Sequence, residues 1–129
     1  MAEPKRILVI DDDADFLSYV QIMLSANGYE VLTAITAAEG LRRMHQDPPD
    51  LVIADVMMSY VLDGWTVSRE MKADPLLRDI PIIMVSAIVS VEDDGLFPTV
   101  ETGGADAFMS KPLEPAALLN RVAELIRAA

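Results

Sequence analysis

The chain has 129 residues, of which 52% are hydrophobic and 24% charged, and it contains no cysteine. That is the length of one domain with a real hydrophobic core, which excludes disorder, a disulfide scaffold and cysteine-ligated zinc. Lys and Arg number 10 against 21 Asp and Glu, a net charge of −11, which disfavours nucleic acid and membrane surfaces as partners and favours cations or basic surfaces.

Residues 7–10 form a short apolar run that stops at three acids, Asp11, Asp12 and Asp13. The run is too short for a signal-peptide core and reads as a strand buried on both faces. Phe16, Val20, Met23 and Leu24 then recur at helical spacing, and Asn27-Gly28 supplies a stop. A second strand is expected over 31–35. Thr36 to Glu39 is a capping-box pattern opening a helix to about Gln46. A third strand covers 51–54 and ends at Asp55. Asp63-Gly64 precedes a third helix that ends before Asp74-Pro75.

The apolar stretch 80–85 reads as a fourth strand ending at Ser86. Pro81, Ser86 and Ser90 break the stretch 80–91, so it cannot span a bilayer, which needs about 20 apolar residues. The expected location is the cytoplasm. Gly95, Pro98, Gly103 and Gly104 interrupt 89–104, where a loop and a short or bent helix are expected. A weak strand at 107–109 leads to Lys111-Pro112. Pro115 suits the first turn of a last helix with Leu118, Leu119, Val122, Leu125 and Ile126 on one face.

Strands alternating with helices predict an α/β fold: a single doubly wound, five-stranded parallel sheet, flavodoxin-like, in the order 2-1-3-4-5, with helices on both faces. Ligands of such sheets bind beyond the carboxyl ends of the strands, at the switch point between strands 1 and 3. Asp11, Asp12, Asp55, Ser86 and Lys111 all stand at those ends. Carboxylates crowded there repel one another unless a hard divalent cation sits among them, and oxygen donors suit Mg²⁺. A carboxylate beside such an ion can act as a nucleophile toward phosphorus. Lys111 is placed to pair with one phosphoryl oxygen and Ser86 to donate to another.

The chain resembles the receiver domain of two-component response regulators. The resemblance is carried by Ile7-Leu-Val-Ile-Asp-Asp-Asp13, Pro49-Asp-Leu-Val-Ile-Ala-Asp-Val-Met-Met58, Asp63-Gly64-Trp65, Pro81-Ile-Ile-Met-Val-Ser-Ala87 and Gly104-Ala-Asp-Ala-Phe-Met-Ser-Lys-Pro112. It implies one receiver domain over 1–129, with Asp55 as phospho-acceptor and Asp11, Asp12, Asp55 and the Met57 carbonyl as Mg²⁺ ligands, Asp12 the more direct of the acidic pair. It implies that Ser86, Lys111 and Phe108 bind the phosphoryl group or switch with it, and that the bond to Pro112 is cis. The implied partners are a histidine kinase or histidine phosphotransfer protein and a downstream protein. The latter would meet the face of helix 4 (within 89–104), strand 5 and the last helix.

Two departures from the family pattern stand out. Ser59 replaces a usual proline, and the 59–62 loop is longer than usual. The segment between Ser86 and Lys111 is also long. Met57 and Ile88, apolar where a hydrolytic water would be held, predict slow self-dephosphorylation. The expected activity is therefore self-phosphorylation with slow autodephosphorylation, not an enzyme acting on other substrates. A stand-alone receiver is favoured over one cut from a longer chain.

Other readings compete. Asp11–Asp13 also suit a helix N-terminus, Phe108 a plain strand aromatic, and His45 a surface residue. A pseudo-receiver that binds without phosphorylation and a small aspartate-nucleophile phosphatase share much of the pattern. Flavin binding is opposed by the acids after strand 1. Trp65 is read as a packing residue able to report on a nearby ion.

Overall fold

The structure, a computed structural model, describes residues 4–55, 63–86, 106–111 and 113–128. Five strands, β1 (Arg6–Ile10), β2 (Glu30–Ala34), β3 (Leu51–Asp55), β4 (Ile82–Ser86) and β5 (Ala107–Ser110), form one parallel sheet in the order β2-β1-β3-β4-β5. The described helices are α1 (Ala14–Ala26), α2 (Ala37–Gln46), α3 (Asp63–Ala73) and a last helix, Pro115–Ala128. The segment 89–104 lies outside the described residues.

Strand alternation sorts the core into two layers. Ile7, Val9, Leu51, Ile53, Ile83 and Val85 face Leu17, Val20 and Leu24 of α1 and Leu118 and Val122 of the last helix. Leu8, Ile10, Val52, Ala54, Ile82 and Met84 face Met44 of α2 and Val67 and Met71 of α3. A parallel sheet is stable only when helices cover both faces, and each fully buried Leu, Ile or Val contributes about 2 kcal/mol of transfer free energy. The register pairs Ile10 with both Ala34 and Ala54, and Asp55 with Val85. The ends of β1 and β3 are thereby level, which brings Asp11 and Asp55 together.

Local chemistry sets the helix ends. The Asp13 carboxylate accepts from the backbone N–H of Asp15 at 3.0 Å and of Phe16 at 3.3 Å, capping α1. Gly28, at φ +91°, takes the left-handed turn that ends the helix and is open to glycine without strain. Thr36 Oγ1 accepts from Glu39 N at 3.0 Å, and Glu39 Oε1 accepts from Ile35 N at 2.8 Å. The reach-back of this capping box lands one residue before the cap. Within α2, a Cβ at Gly40 would overlap the Ile10 side chain, so glycine lets the helix lie close on β1.

Several boundaries differ from the sequence reading. The buried stripe of α1 is Leu17, Val20 and Leu24, while Phe16 and Met23 are half-buried. The helix is turned so that Leu17 takes the place expected for Phe16. Ile35 belongs to the turn after β2 and is 56% exposed, because its N–H goes to Glu39 rather than to the sheet. Ile80 is buried before β4 begins; its N–H closes a turn onto Leu77 O at 3.0 Å. Asp63 and Gly64 are the first residues of α3 rather than its prelude. Leu119, Leu125 and Ile126 of the last helix are half-buried.

Candidate functional site

Asp11 follows β1 directly, and its backbone N–H still donates to Ala34 O at 3.0 Å. Its side chain is therefore carried along the strand into the protein, where the residue is fully buried. Asp55 is the last residue of β3 and is 8% exposed. Asp12 is exposed. Carboxylate oxygens of Asp11, Asp12 and Asp55 lie within 4.8 Å of one another.

Lys111 comes one residue after β5 and reaches back to this group. Its Nζ donates to Asp11 Oδ2 at 2.8 Å and to Asp55 Oδ2 at 3.5 Å. The Lys111 side chain is 16% exposed. Burial works against its charge and is the largest single influence, yet the hydrogen bond and charge of Asp11, joined by Asp55, outweigh it and raise the pKa above 10.5. The ammonium thus stays protonated, and its contribution to stability is full below pH 10.5 and fades only above the raised value.

Asp11 is doubly engaged, because its Oδ1 accepts from Asp13 N at 2.9 Å while Oδ2 holds Lys111. Three carboxylates against one ammonium leave two excess negative charges, with Asp11 and Asp55 buried and Asp12 facing solvent. An all-oxygen donor set with one solvent-facing member fits a hard, partly hydrated divalent ion such as Mg²⁺, and does not fit soft metals that prefer sulfur or imidazole.

The run Asp11–Asp13 does not act as a unit. Asp11 is buried, Asp12 faces solvent, and Asp13 is the α1 cap, so the helix-terminus reading is right for that third residue. Ser86 ends β4 opposite Ser110, but its side chain lies outside the described residues. So do Met57, Ile88, Pro112, the 59–62 loop and the Trp65 side chain. Phe108 is half-buried against the layer formed with α2 and α3. His45 is on the surface but engaged: Nδ1 lies 2.9 Å from Leu41 O and Nε2 2.6 Å from Asp74 Oδ2.

Two aromatic residues near the site were not singled out for it from the sequence. Lys111 Nζ lies 4.2 Å from the centre of the Phe16 ring, and Tyr19 donates its hydroxyl to Leu113 O at 3.2 Å. The available signal was position: an aromatic in the first turn of a helix that starts from the acidic strand end.

Comparisons with known proteins agree with this geometry. A family model described as the response regulator receiver domain matches residues 7–123. Response regulator PleD of Caulobacter vibrioides is 37% identical over 122 residues, covering 95% of this chain and 26% of that protein. Transcriptional regulatory protein PrrA of Mycobacterium tuberculosis is 39% identical over 124 residues, covering 95% of this chain and 50% of PrrA. The chain spans half or less of the length of these relatives. A CheY-like receiver domain protein from Methanospirillum hungatei superposes with a TM-score of 0.83 at 30% identity, covering 97% of this chain and 95% of that one. Chemotaxis response regulator CheY4 of Vibrio cholerae does so at 0.82 and 26% identity, over 95% and 98% of the two chains. Among the described residues, no helix is long and apolar enough to cross a membrane.

Proposed function

The chain belongs to the response regulator receiver domain family, and from that premise we propose that it is a phosphorylation-dependent signalling switch whose phospho-acceptor is Asp55. The phosphoryl group comes from a phosphohistidine on a histidine kinase or a histidine phosphotransfer protein. A carboxylate oxygen of Asp55 forms a bond to phosphorus as the bond from phosphorus to the imidazole nitrogen breaks. The imidazole leaves with its electron pair and takes up a proton, and Asp55 becomes an acyl phosphate.

Positioning and electrostatics carry this step. Lys111 offers its ammonium to a phosphoryl oxygen, releasing part of its hold on Asp55. Asp12, with Asp55 and the Met57 carbonyl, would hold Mg²⁺, while Asp11 orients Lys111 and completes the acidic wall. The ion, when bound, offsets the negative charge of the pocket so that an anionic donor can approach. Ser86 and Phe108 respond to the new phosphoryl group, and the face of the 89–104 segment, β5 and the last helix meets a downstream protein. The protein turns over no other substrate, and its acyl phosphate is slow to hydrolyse. An acidic domain of this kind works in the cytoplasm without touching nucleic acid or membrane itself.

The single observation that carries this reading is the convergence of Asp11, Asp12 and Asp55 at the switch point of the sheet, with Lys111 paired to Asp11 and Asp55. Intact mass after exposure to acetyl phosphate and Mg²⁺ tests it. The wild type should gain one phosphoryl group and Asp55→Asn none. No gain in the wild type would leave a domain that binds its partner without phosphorylation.

A further inference from the structure

Lys111 is held on three sides, and only two of them are acids. Its Nζ lies 2.8 Å from Asp11 Oδ2, 3.5 Å from Asp55 Oδ2 and 4.2 Å from the centre of the Phe16 ring. An ammonium over an aromatic face is attracted by the negative face of the ring, and more strongly where water is displaced. Little of the Lys111 side chain meets water, so that condition is satisfied here.

Phe16 reaches this place through a closed circuit of contacts. Asp13 N–H donates to Asp11 Oδ1 at 2.9 Å, and Phe16 N–H donates to Asp13 Oδ1 at 3.3 Å. The Phe16 ring carries the Lys111 ammonium, which returns to Asp11 through Oδ2. One turn further along α1, the Tyr19 hydroxyl holds the carbonyl of Leu113, two residues past Lys111. The start of α1 thus grips this lysine and the chain that follows it.

A lysine stem has several rotatable bonds and much rotamer freedom to lose. Two carboxylates attract its head but leave it free to turn toward water. An aromatic wall on the third side removes those orientations. We infer that Phe16 is a positioning residue for phosphoryl transfer: its ring keeps the Lys111 ammonium beside the Asp55 carboxylate, where an arriving phosphoryl oxygen meets it. The inference rests on the proposed role of Asp55.

The test compares wild type, Phe16→Leu and Phe16→Tyr. Leucine keeps apolar contact with the core but has no ring face; tyrosine keeps both. With acetyl phosphate and Mg²⁺, Phe16→Leu should be phosphorylated about threefold to tenfold more slowly, and Phe16→Tyr within about twofold of wild type. Proton NMR should show the Lys111 ε-methylene shifted upfield by the ring in wild type and Phe16→Tyr, and unshifted in Phe16→Leu. Thermal melts confirm that the variants fold; if leucine fails, Phe16→Met replaces it. Phosphorylation of Phe16→Leu at the wild-type rate, slowing of Phe16→Tyr as great as that of Phe16→Leu, or an unshifted Lys111 in wild type overturns the inference alone. A wild type that takes up no phosphoryl group overturns the Asp55 reading and this inference together.

Discussion

At either end of β1 a single cation sits among three carboxylates. At the amino end Arg6 pairs with Glu30 through Nε at 3.3 Å and with Asp47 through Nη1, while its backbone N–H donates to Asp50 Oδ2 at 2.7 Å. At the carboxyl end Lys111 pairs with Asp11 and Asp55, and Asp12 lies beside them. The pairing patterns are alike, with two ion-paired carboxylates and a third acid nearby at each end. The surroundings differ: the side chains of Glu30 and Asp47 are 49% and 58% exposed, against none for Asp11 and 9% for Asp55. Water screens the excess charge at the amino end, so nothing further is required there. At the carboxyl end two of the three carboxylates, Asp11 and Asp55, are withdrawn from water, so their charge is screened far less and suits the cation and phosphoryl chemistry proposed above. Desolvation, rather than the number of acids, separates a site from a decorated surface.

Removing each cation in turn should break the symmetry most visibly. Lys111→Met strands a buried carboxylate pair, and urea unfolding at pH 7 should show a loss of about 3 kcal/mol, the low end for a broken buried pair because Lys111 retains some water contact. Arg6→Met should lose only a small part of that, since exposed ion pairs contribute little. Equal losses would mean that burial does not distinguish the two ends.

Removing an acid sharpens the contrast in the other direction. Asp12→Ala relieves repulsion in the pocket and should raise the melting temperature measured without divalent ions by about 3 °C. The same variant should lose the stabilisation that millimolar Mg²⁺ brings to wild type. Asp47→Ala at the exposed end should raise neither. A melting temperature that falls in Asp12→Ala would show that the crowded acids are not in conflict.

The smallest effect belongs to the surface pair His45–Asp74. The His45 pKa is raised above 6.5, chiefly by its hydrogen bond with Asp74, so its contribution is full below that pH and is lost as pH rises through the raised value. Asp74 is lowered below 3.8, chiefly by the N–H of Leu76 and then by His45, so its contribution is full above 3.8 and is lost as pH falls through the lowered value. The pair therefore helps most between these limits. His45→Gln should melt slightly below wild type near pH 5 and level with it near pH 9, and a deficit that grows toward pH 9 would reverse the assignment.

Periodicity and strand-end chemistry were legible from the residues themselves. Short Val- and Ile-rich runs can be buried only on both faces, alternation with helical patterns demands parallel pairing, and right-handed crossovers then leave few strand orders. The acids and the lysine were legible because residues that end parallel strands share one edge of the sheet. What a linear pattern does not contain is rotation and depth. Leu17 is buried in the core while Phe16 only packs against it half-buried, a rotation of α1 that helical spacing alone leaves open. Of three adjacent aspartates, one is buried, one faces solvent and one caps a helix, a division made by a backbone turn and not by residue type. The contact of Phe16 with Lys111 joins residues far apart in the chain, and only the packing of α1 against the end of the sheet brings the ring to the ammonium.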